Sequence, residues 1–94
     1  MALKRVSIFG ATGSIGQNTL DLIGRDPEQF QVDVLTGGHQ VEQLARDAKK
    51  YGARVVVTAY DSQYQALKSA LSDTDIRVGA GPSAIQEEIG RAHV

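Results

Sequence analysis

The fold is decided by Arg5-Val-Ser-Ile-Phe-Gly10-Ala-Thr-Gly13-Ser-Ile-Gly16, near the start of the 94-residue sequence. The apolar run over residues 6–9 is typical of a strand that is buried on both faces of a parallel sheet. Three glycines follow with the spacing G-x-x-G-x-x-G, which is related to the G-x-G-x-x-G fingerprint but has a first gap one residue longer. The stretch therefore predicts a strand, a dinucleotide-binding turn and the start of a helix.

Each glycine has a separate role in a turn of this kind. Gly10 permits the tight bend, Gly13 lets the backbone approach a pyrophosphate, and Gly16 lets the helix pack closely on the strand. A helix that starts near Ser14 favours a bound anion through its free N–H groups and its dipole, and Thr12 and Ser14 add hydroxyl donors. The alternative is a glycine-rich turn that binds no ligand. A P-loop is excluded because no Gly-Lys-Ser/Thr follows.

Strand and helix patterns alternate along the rest of the chain. Strand patterns lie near residues 32–35, 55–57 and 76–78, and helical patterns near 14–25, 41–48 and 64–71. Such alternation implies right-handed crossovers, so the fold class is α/β, a Rossmann-like parallel sheet of about four strands flanked by helices. Residues 1–94 are expected to form one incomplete dinucleotide-binding domain, with the first strand at an open edge of the sheet.

Composition excludes several classes of function. The net charge of −1 and the sequence pI near 6.0 argue against nucleic-acid or membrane-surface partners, which need a clustered basic excess. The absence of cysteine excludes disulfides and thiolate chemistry and fits a reducing cytosol. No signal peptide is visible, and no apolar run approaches the ~20 residues of a membrane helix. We therefore expect a soluble cytoplasmic protein.

The loop after the second strand bears on the choice between NAD and NADP. In NAD-specific sites an acidic residue about 20 positions past the glycine turn binds the ribose 2′-hydroxyl. Here the loop reads Thr36-Gly-Gly-His-Gln40, without a carboxylate to repel a 2′-phosphate. The loop therefore favours NADP, with His39 and Gln40 as donors to that phosphate. The alternative for His39 is an exposed loop histidine.

Further residues indicate a family. The glycine turn is followed by Thr19-Leu-Asp21, Pro27 and Phe30-Gln-Val32. Over about residues 4–45 this combination resembles the N-terminus of 1-deoxy-D-xylulose 5-phosphate reductoisomerase. The resemblance implies a cytosolic, homodimeric enzyme of the non-mevalonate isoprenoid pathway. Such an enzyme converts 1-deoxy-D-xylulose 5-phosphate to 2-C-methyl-D-erythritol 4-phosphate with NADPH and Mg²⁺ or Mn²⁺.

The resemblance also implies cofactor contacts at two sets of positions. The first set meets the diphosphate and ribose of NADPH and the second follows the adenosine phosphate: Thr12, Gly13, Ser14 and Ile15, then Gly38, His39 and Gln40. The family usually has lysine or arginine and then asparagine at the last two positions, so His39 and Gln40 depart from it. The family's catalytic, metal-binding and substrate-phosphate residues lie beyond a counterpart of Val94. We therefore expect no catalytic or metal residue in this chain, and no activity from it alone.

Two other functions remain open. Another NADP-dependent enzyme, such as a semialdehyde dehydrogenase or a short-chain reductase, carries a similar glycine turn, and Tyr64 and Lys68 have the Tyr-x-x-x-Lys spacing of the latter. A non-catalytic NADP-sensing module binds the cofactor without turnover.

Residues 89–94 are also the translation of a common sequencing-library adapter. They are expected to be a non-native tail on the N-terminal part of a longer enzyme, and the alternative is a natural helix end.

Overall fold

The structure, a computed structural model, describes residues 4–92, and the side chains of residues 4–88. It confirms the α/β class, because a four-stranded parallel sheet alternates with helices over this range. The elements in chain order are β1 (Lys4–Ile8), α1 (Ser14–Gly24), β2 (Phe30–Gly37), α2 (Val41–Tyr51), β3 (Val55–Thr58), a 3₁₀ turn (Asp61–Gln63), α3 (Tyr64–Ala70), β4 (Arg77–Ala80) and α4 (Pro82–Ala92).

The strands lie in the order β1-β2-β3-β4, and every pair is parallel. The carboxyl ends of the strands therefore share one edge of the sheet, which we call the carboxyl edge. Within residues 4–92 β1 pairs with β2 alone, so the expected edge position of the first strand is confirmed. The register between β1 and β2 shifts after Val6, where the pattern becomes irregular just before the glycine turn.

Apolar side chains form a core on each face of the sheet. Helices α1, α2 and α3 cover one face, while α4 packs on the other through Ala84 and Ile85 against three valines of β2 and β3. The largest side chains of the core are less than 2% exposed: Leu20, Leu35, Leu44, Leu67, Val32, Val34, Val56 and Val57. Helix α2 is followed by Gly52 as its C-cap, whose φ of 67° is left-handed.

Two expectations about burial are wrong. Within the helical pattern near residues 14–25, the spacing of Ile15, Thr19, Leu22 and Ile23 predicts one buried stripe. Ile15 and Leu22 are nevertheless 84% and 64% exposed, because α1 buries the stripe of Gly16, Leu20 and Ile23. Nor is the first strand buried on both faces, since Lys4 and Arg5 are exposed and Phe9, just past the strand, is 41% exposed. Both departures follow from the edge position of β1. Within residues 4–92 no strand pairs with the outer side of β1, so nothing extends the sheet beneath the outer side of α1.

The end of the chain is helical where it is described. Helix α4 continues to Ala92, while residues 93–94 of the expected non-native tail lie outside the described residues. None of the helices described is long and apolar enough to cross a membrane.

Candidate cofactor-binding site

The turn that follows β1 is anchored on the end of β2. Gly10 has φ of 83°, the left-handed conformation that glycine adopts without strain. Its N–H donates to Thr36 Oγ1 at 2.8 Å, and the N–H of Ala11 donates to the Thr36 carbonyl at 2.7 Å. The turn closes on itself where the N–H of Gly13 meets the Gly10 carbonyl at 3.2 Å. The bend expected at Gly10 is thus present and is fixed by its neighbour strand.

Helix α1 begins at the end of this turn with its N-terminus open. Gly13 is the N-cap residue, and it has no side chain with which to cap the first N–H groups. The first turn contains no acidic residue. Ser14 and Ile15 are exposed, and a groove of about 620 Å³ lies beside them and the glycines. An uncapped helix N-terminus that opens on a groove is suited to an anion.

Gly16 is the point where helix and turn meet most closely. A Cβ at this position would lie 2.4 Å from the Gly10 carbonyl oxygen and 2.7 Å from Ala11 Cα. By contrast, a Cβ at Gly13 would be 3.6 Å from the Gly10 oxygen, an ordinary contact. The structure therefore confirms the close packing expected at Gly16, and it leaves the space over Gly13 on the open side of the turn.

A second loop lies at the same edge, between β2 and α2. It contains Gly38, His39 and Gln40, and the side chains of His39 and Gln40 are exposed. The Gln40 side chain makes no capping hydrogen bond with α2. The Cγ2 atom of Thr12 would be 3.4 Å from a Cβ on Gly37, so the two loops are adjacent. Both sets of residues expected to contact a cofactor are therefore brought to one edge of the sheet.

The loop after β3 supports this second loop. The His39 and Tyr60 rings stack with centroids 3.9 Å apart and an interplanar angle of 9°. Gln63 Nε2 lies 3.3 Å from His39 Nδ1. A Cβ on Gly38 would be 3.2 Å from Tyr60 Cε2, so the glycine makes room for the ring. The His39 imidazole is therefore held from two sides.

Backbone contacts reinforce the same pair of loops. Thr58 Oγ1 donates to the Gly38 carbonyl at 3.0 Å, and the Ala59 N–H donates to the Gly37 carbonyl at 2.8 Å. Thr58 is 0% exposed. Sequence reasoning missed Thr36, Tyr60 and Gln63 in this region. One signal was available for Tyr60, because it follows a strand whose carboxyl end reaches the same edge.

Charge around the loop between β2 and α2 is mixed. A groove of about 670 Å³ is lined by His39, Gln43 and Arg46, and also by Glu42 in the first turn of α2. The pKa shifts seen elsewhere belong to other parts of the surface. The hydrogen bond to Asp33 raises the pKa of Arg54, just before β3, and a hydrogen bond from a lysine of α2 lowers the pKa of Asp73, after α3.

Two features bear on chemistry other than cofactor binding. Among the described residues no three Asp, Glu or His side chains are grouped so that they could hold a metal ion. On α3, Lys68 Nζ donates to the Tyr64 hydroxyl at 3.2 Å, so the pair with reductase-like spacing does form a contact. It is an exposed contact between consecutive turns of one helix, and it points to no separate active site.

Known proteins share this sequence over most of its length. The family model described as 1-deoxy-D-xylulose 5-phosphate reductoisomerase matches residues 6–94. A protein of that name from Ruegeria pomeroyi is 51% identical over 86 residues, which cover 92% of this chain and 22% of the relative. One from Rhizobium johnstonii is 53% identical over 94 residues, which cover 96% of this chain and 23% of the relative. The chain thus spans less than a quarter of these relatives.

Solved structures share the fold as well. A 1-deoxy-D-xylulose 5-phosphate reductoisomerase from Zymomonas mobilis, in complex with NADPH, matches with a TM-score of 0.89 and 42% identity over 92% of this chain and 23% of its own. A reductoisomerase in complex with NADPH, fosmidomycin and magnesium matches with a TM-score of 0.82 and 30% identity, over 87% of this chain and 20% of its own.

Proposed function

The chain belongs to the 1-deoxy-D-xylulose 5-phosphate reductoisomerase family, and on this premise we propose that the two loops at its carboxyl edge bind NADPH. The observation that carries the proposal is the open N-terminus of α1 beneath the turn at Gly10 and Gly13, next to the loop that presents His39. When bound, NADPH supplies a hydride. The residues of this chain bind and orient it.

The diphosphate half of the site is formed by Thr12, Gly13, Ser14 and Ile15, with Gly10 and Gly16 shaping the turn. The first-turn N–H groups of α1 have no partners within the helix, so they are free to donate to phosphate oxygens. The helix dipole adds roughly 0.3–1 kcal/mol for an exposed anion. The relative from Zymomonas mobilis, which holds NADPH, supports this assignment.

The adenosine half of the site is formed by Gly38, His39 and Gln40. His39 and Gln40 donate to the 2′-phosphate in place of the lysine or arginine and the asparagine usual in the family. Stacking on Tyr60 and the contact with Gln63 reduce the rotamer freedom of the imidazole, so less entropy is lost when the phosphate binds. A preordered histidine thus partly replaces a long flexible cation.

We further propose that this chain, residues 1–94, is the N-terminal NADPH-binding part of a longer reductoisomerase, with residues 89–94 as a non-native tail. The whole enzyme converts 1-deoxy-D-xylulose 5-phosphate to 2-C-methyl-D-erythritol 4-phosphate. It is a cytoplasmic homodimer that uses Mg²⁺ or Mn²⁺, and this chain alone has no turnover. Relatives solved with magnesium and with fosmidomycin support the metal and the small-molecule substrate.

A titration of NADPH and NADH into the full-length product of the parent gene tests the cofactor site. We expect NADPH to bind more tightly than NADH, because His39 and Gln40 are proposed to donate to the 2′-phosphate, which NADH lacks. Equal affinities would remove the 2′-phosphate role of this loop. A folded protein that binds neither cofactor would remove the whole proposal.

An activity assay separates the enzyme from a non-catalytic NADP-sensing module. The same full-length product is mixed with 1-deoxy-D-xylulose 5-phosphate, NADPH and Mn²⁺, and the loss of NADPH absorbance is followed. Turnover is expected. Tight NADPH binding with no turnover would favour the sensing module. Loss of hydride transfer on Tyr64→Phe, with folding retained, would favour a short-chain reductase.

A further inference from the structure

A polar, partly buried link connects α2 to the phosphate-binding turn. Gln17 lies on α1, one turn past Gly13, and its Nε2 atom makes two hydrogen bonds. One is donated to the Ala11 carbonyl oxygen at 2.8 Å, and the other to Asp47 Oδ2, also at 2.8 Å. Both N–H groups of this amide are therefore engaged. The amide bridges the turn and a carboxylate on the next helix.

The acidic end of this link, Asp47, is buried. Asp47 is only 8% exposed, although it belongs to a charged helix whose other acidic residue, Glu42, faces solvent. A buried carboxylate is costly unless it is hydrogen-bonded, and an apolar side chain of similar size often packs there without loss of stability. The Asp47 carboxylate has such a partner in the Gln17 amide. It orients the Gln17 amide through a charge-assisted hydrogen bond, which is stronger than a neutral one.

At the other end of the link, the hydrogen bond to the Ala11 carbonyl sets the orientation of the peptide group between Ala11 and Thr12. Ala11 is 0% exposed, and its carbonyl oxygen points to Gln17, into the protein. The described chain has no cis peptide bonds, so the peptide between Ala11 and Thr12 is trans and planar. In such a peptide the C=O and the N–H point in opposite directions. The hydrogen bond from Gln17 therefore aims the Thr12 N–H away from the protein interior, toward the open side of the turn.

We infer that Gln17 and Asp47 are positioning residues for NADPH binding. Asp47 fixes the Gln17 amide, Gln17 holds the Ala11 carbonyl inward, and the Thr12 N–H is thereby presented to the diphosphate. Without this link the peptide is free to rotate, and a carbonyl oxygen turned outward repels the phosphate. The inference rests on the proposed function and adds to it two residues that do not themselves touch the cofactor.

The test measures affinities of the full-length product for both NADPH and NADH. Gln17→Met keeps the size of the side chain but removes the donor, and we expect it to weaken both cofactors by about tenfold, the effect of one hydrogen bond. The ratio of the two affinities is expected to stay constant, since the diphosphate is common to both. Asp47→Ala is expected to act in the same direction, while Asp47→Asn keeps an acceptor oxygen and retains most of the affinity.

Two further measurements separate positioning from a purely structural role. The double variant Gln17→Met/Asp47→Ala is expected to bind no more weakly than Gln17→Met, because both residues act through one link. Gly52→Ala, which strains a left-handed residue far from the turn, serves as the control that lowers stability without touching the link. Its melting temperature is expected to fall while its cofactor affinity is unchanged.

The outcomes distinguish this inference from the proposed function. If the unsubstituted protein binds neither cofactor, the proposed function fails and the inference fails with it. If the unsubstituted protein binds NADPH and Gln17→Met binds it equally well, the inference alone is overturned. Equal losses for Asp47→Asn and Asp47→Ala would likewise overturn the role of the carboxylate as an acceptor.

Discussion

Replacing Gly16 by alanine separates the architecture of the turn from its contact with a ligand. The added Cβ would lie 2.4 Å from the Gly10 carbonyl oxygen and 2.8 Å from that of Ala11. Both are backbone atoms of the turn, so no side-chain rotation relieves the overlap. An ordinary contact at the Gly10 oxygen requires a displacement of about 1 Å. A displacement of this size misplaces a bound group, so the affinity for NADPH is expected to fall by a large factor.

The cost in stability follows from two opposing contributions. Overpacking of this kind costs about 1–3 kcal/mol, and contacts with backbone place Gly16→Ala toward the upper end. Because Gly16 lies inside α1, alanine regains about 0.5–1 kcal/mol through its better helix propensity. The net loss is on the order of 2 kcal/mol. For a domain of this size that corresponds to a fall in Tm of roughly 8–16 °C.

The assay combines thermal unfolding, followed by circular dichroism, with an NADPH titration. Gly13→Ala is the matched control, since its backbone at φ −78° and ψ 171° suits any residue and its Cβ meets the Gly10 oxygen at 3.6 Å. This control is expected to unfold within about 0.5 kcal/mol of the parent but to lose affinity, because its Cβ occupies the ligand side. A Gly16→Ala protein with unchanged Tm and affinity would refute the close approach. Undiminished affinity in Gly13→Ala would refute the backbone contact there.

Other substitutions test neighbouring parts of the structure. Gly10→Ala and Gly52→Ala both place alanine in a left-handed conformation without a steric clash, so each is expected to cost about 1–2 kcal/mol in urea unfolding, and Gly10→Ala alone is expected to weaken NADPH binding. His39→Ala is expected to weaken NADPH by about tenfold and to leave NADH unchanged, as measured by fluorescence titration. Tyr60→Ala is expected to act in the same direction but more weakly, because it frees the imidazole without removing it; an effect on NADH as large as on NADPH would contradict this. The lysine hydrogen bond lowers the pKa of Asp73, so its stabilising contribution is present at neutral pH and is lost as the pH falls through the lowered folded-state value. Asp73→Asn is expected to flatten the acid side of a stability-versus-pH curve.

Local patterns were enough to predict most of the fold and the presence of two adjacent loops at the carboxyl edge. The apolar run before Gly10 and the alternation of periodicities predict a parallel sheet, and the spacing of the glycines predicts the bend at Gly10 and the close packing at Gly16. The burial of α1 was not predictable in the same way. Ile15 and Leu22 fit a helical stripe as well as Leu20 does, and only the position of β1 at the edge decides which stripe is covered.

The remaining parts of the site depend on contacts between distant segments. Tyr60 is an unremarkable aromatic residue in the sequence, and its stacking on His39 exists because β2 and β3 are neighbours. The link from Asp47 through Gln17 to the turn joins residues of two helices and a loop, and no spacing within one element encodes it. Contacts of this kind arise from the order of the strands in the sheet. That order cannot be read from the local patterns of a single sequence.

Thr36 connects the glycine turn to the loop that carries His39. Its hydroxyl and carbonyl oxygens accept hydrogen bonds from the N–H groups of the glycine turn. The chain then continues from Thr36 into the loop that carries His39. Under the proposed function, the distance between the diphosphate site and the 2′-phosphate site is therefore set by the end of β2. The proposed function then predicts that 2′-phospho-AMP binds to the loop of His39 on its own, without the nicotinamide half of the cofactor.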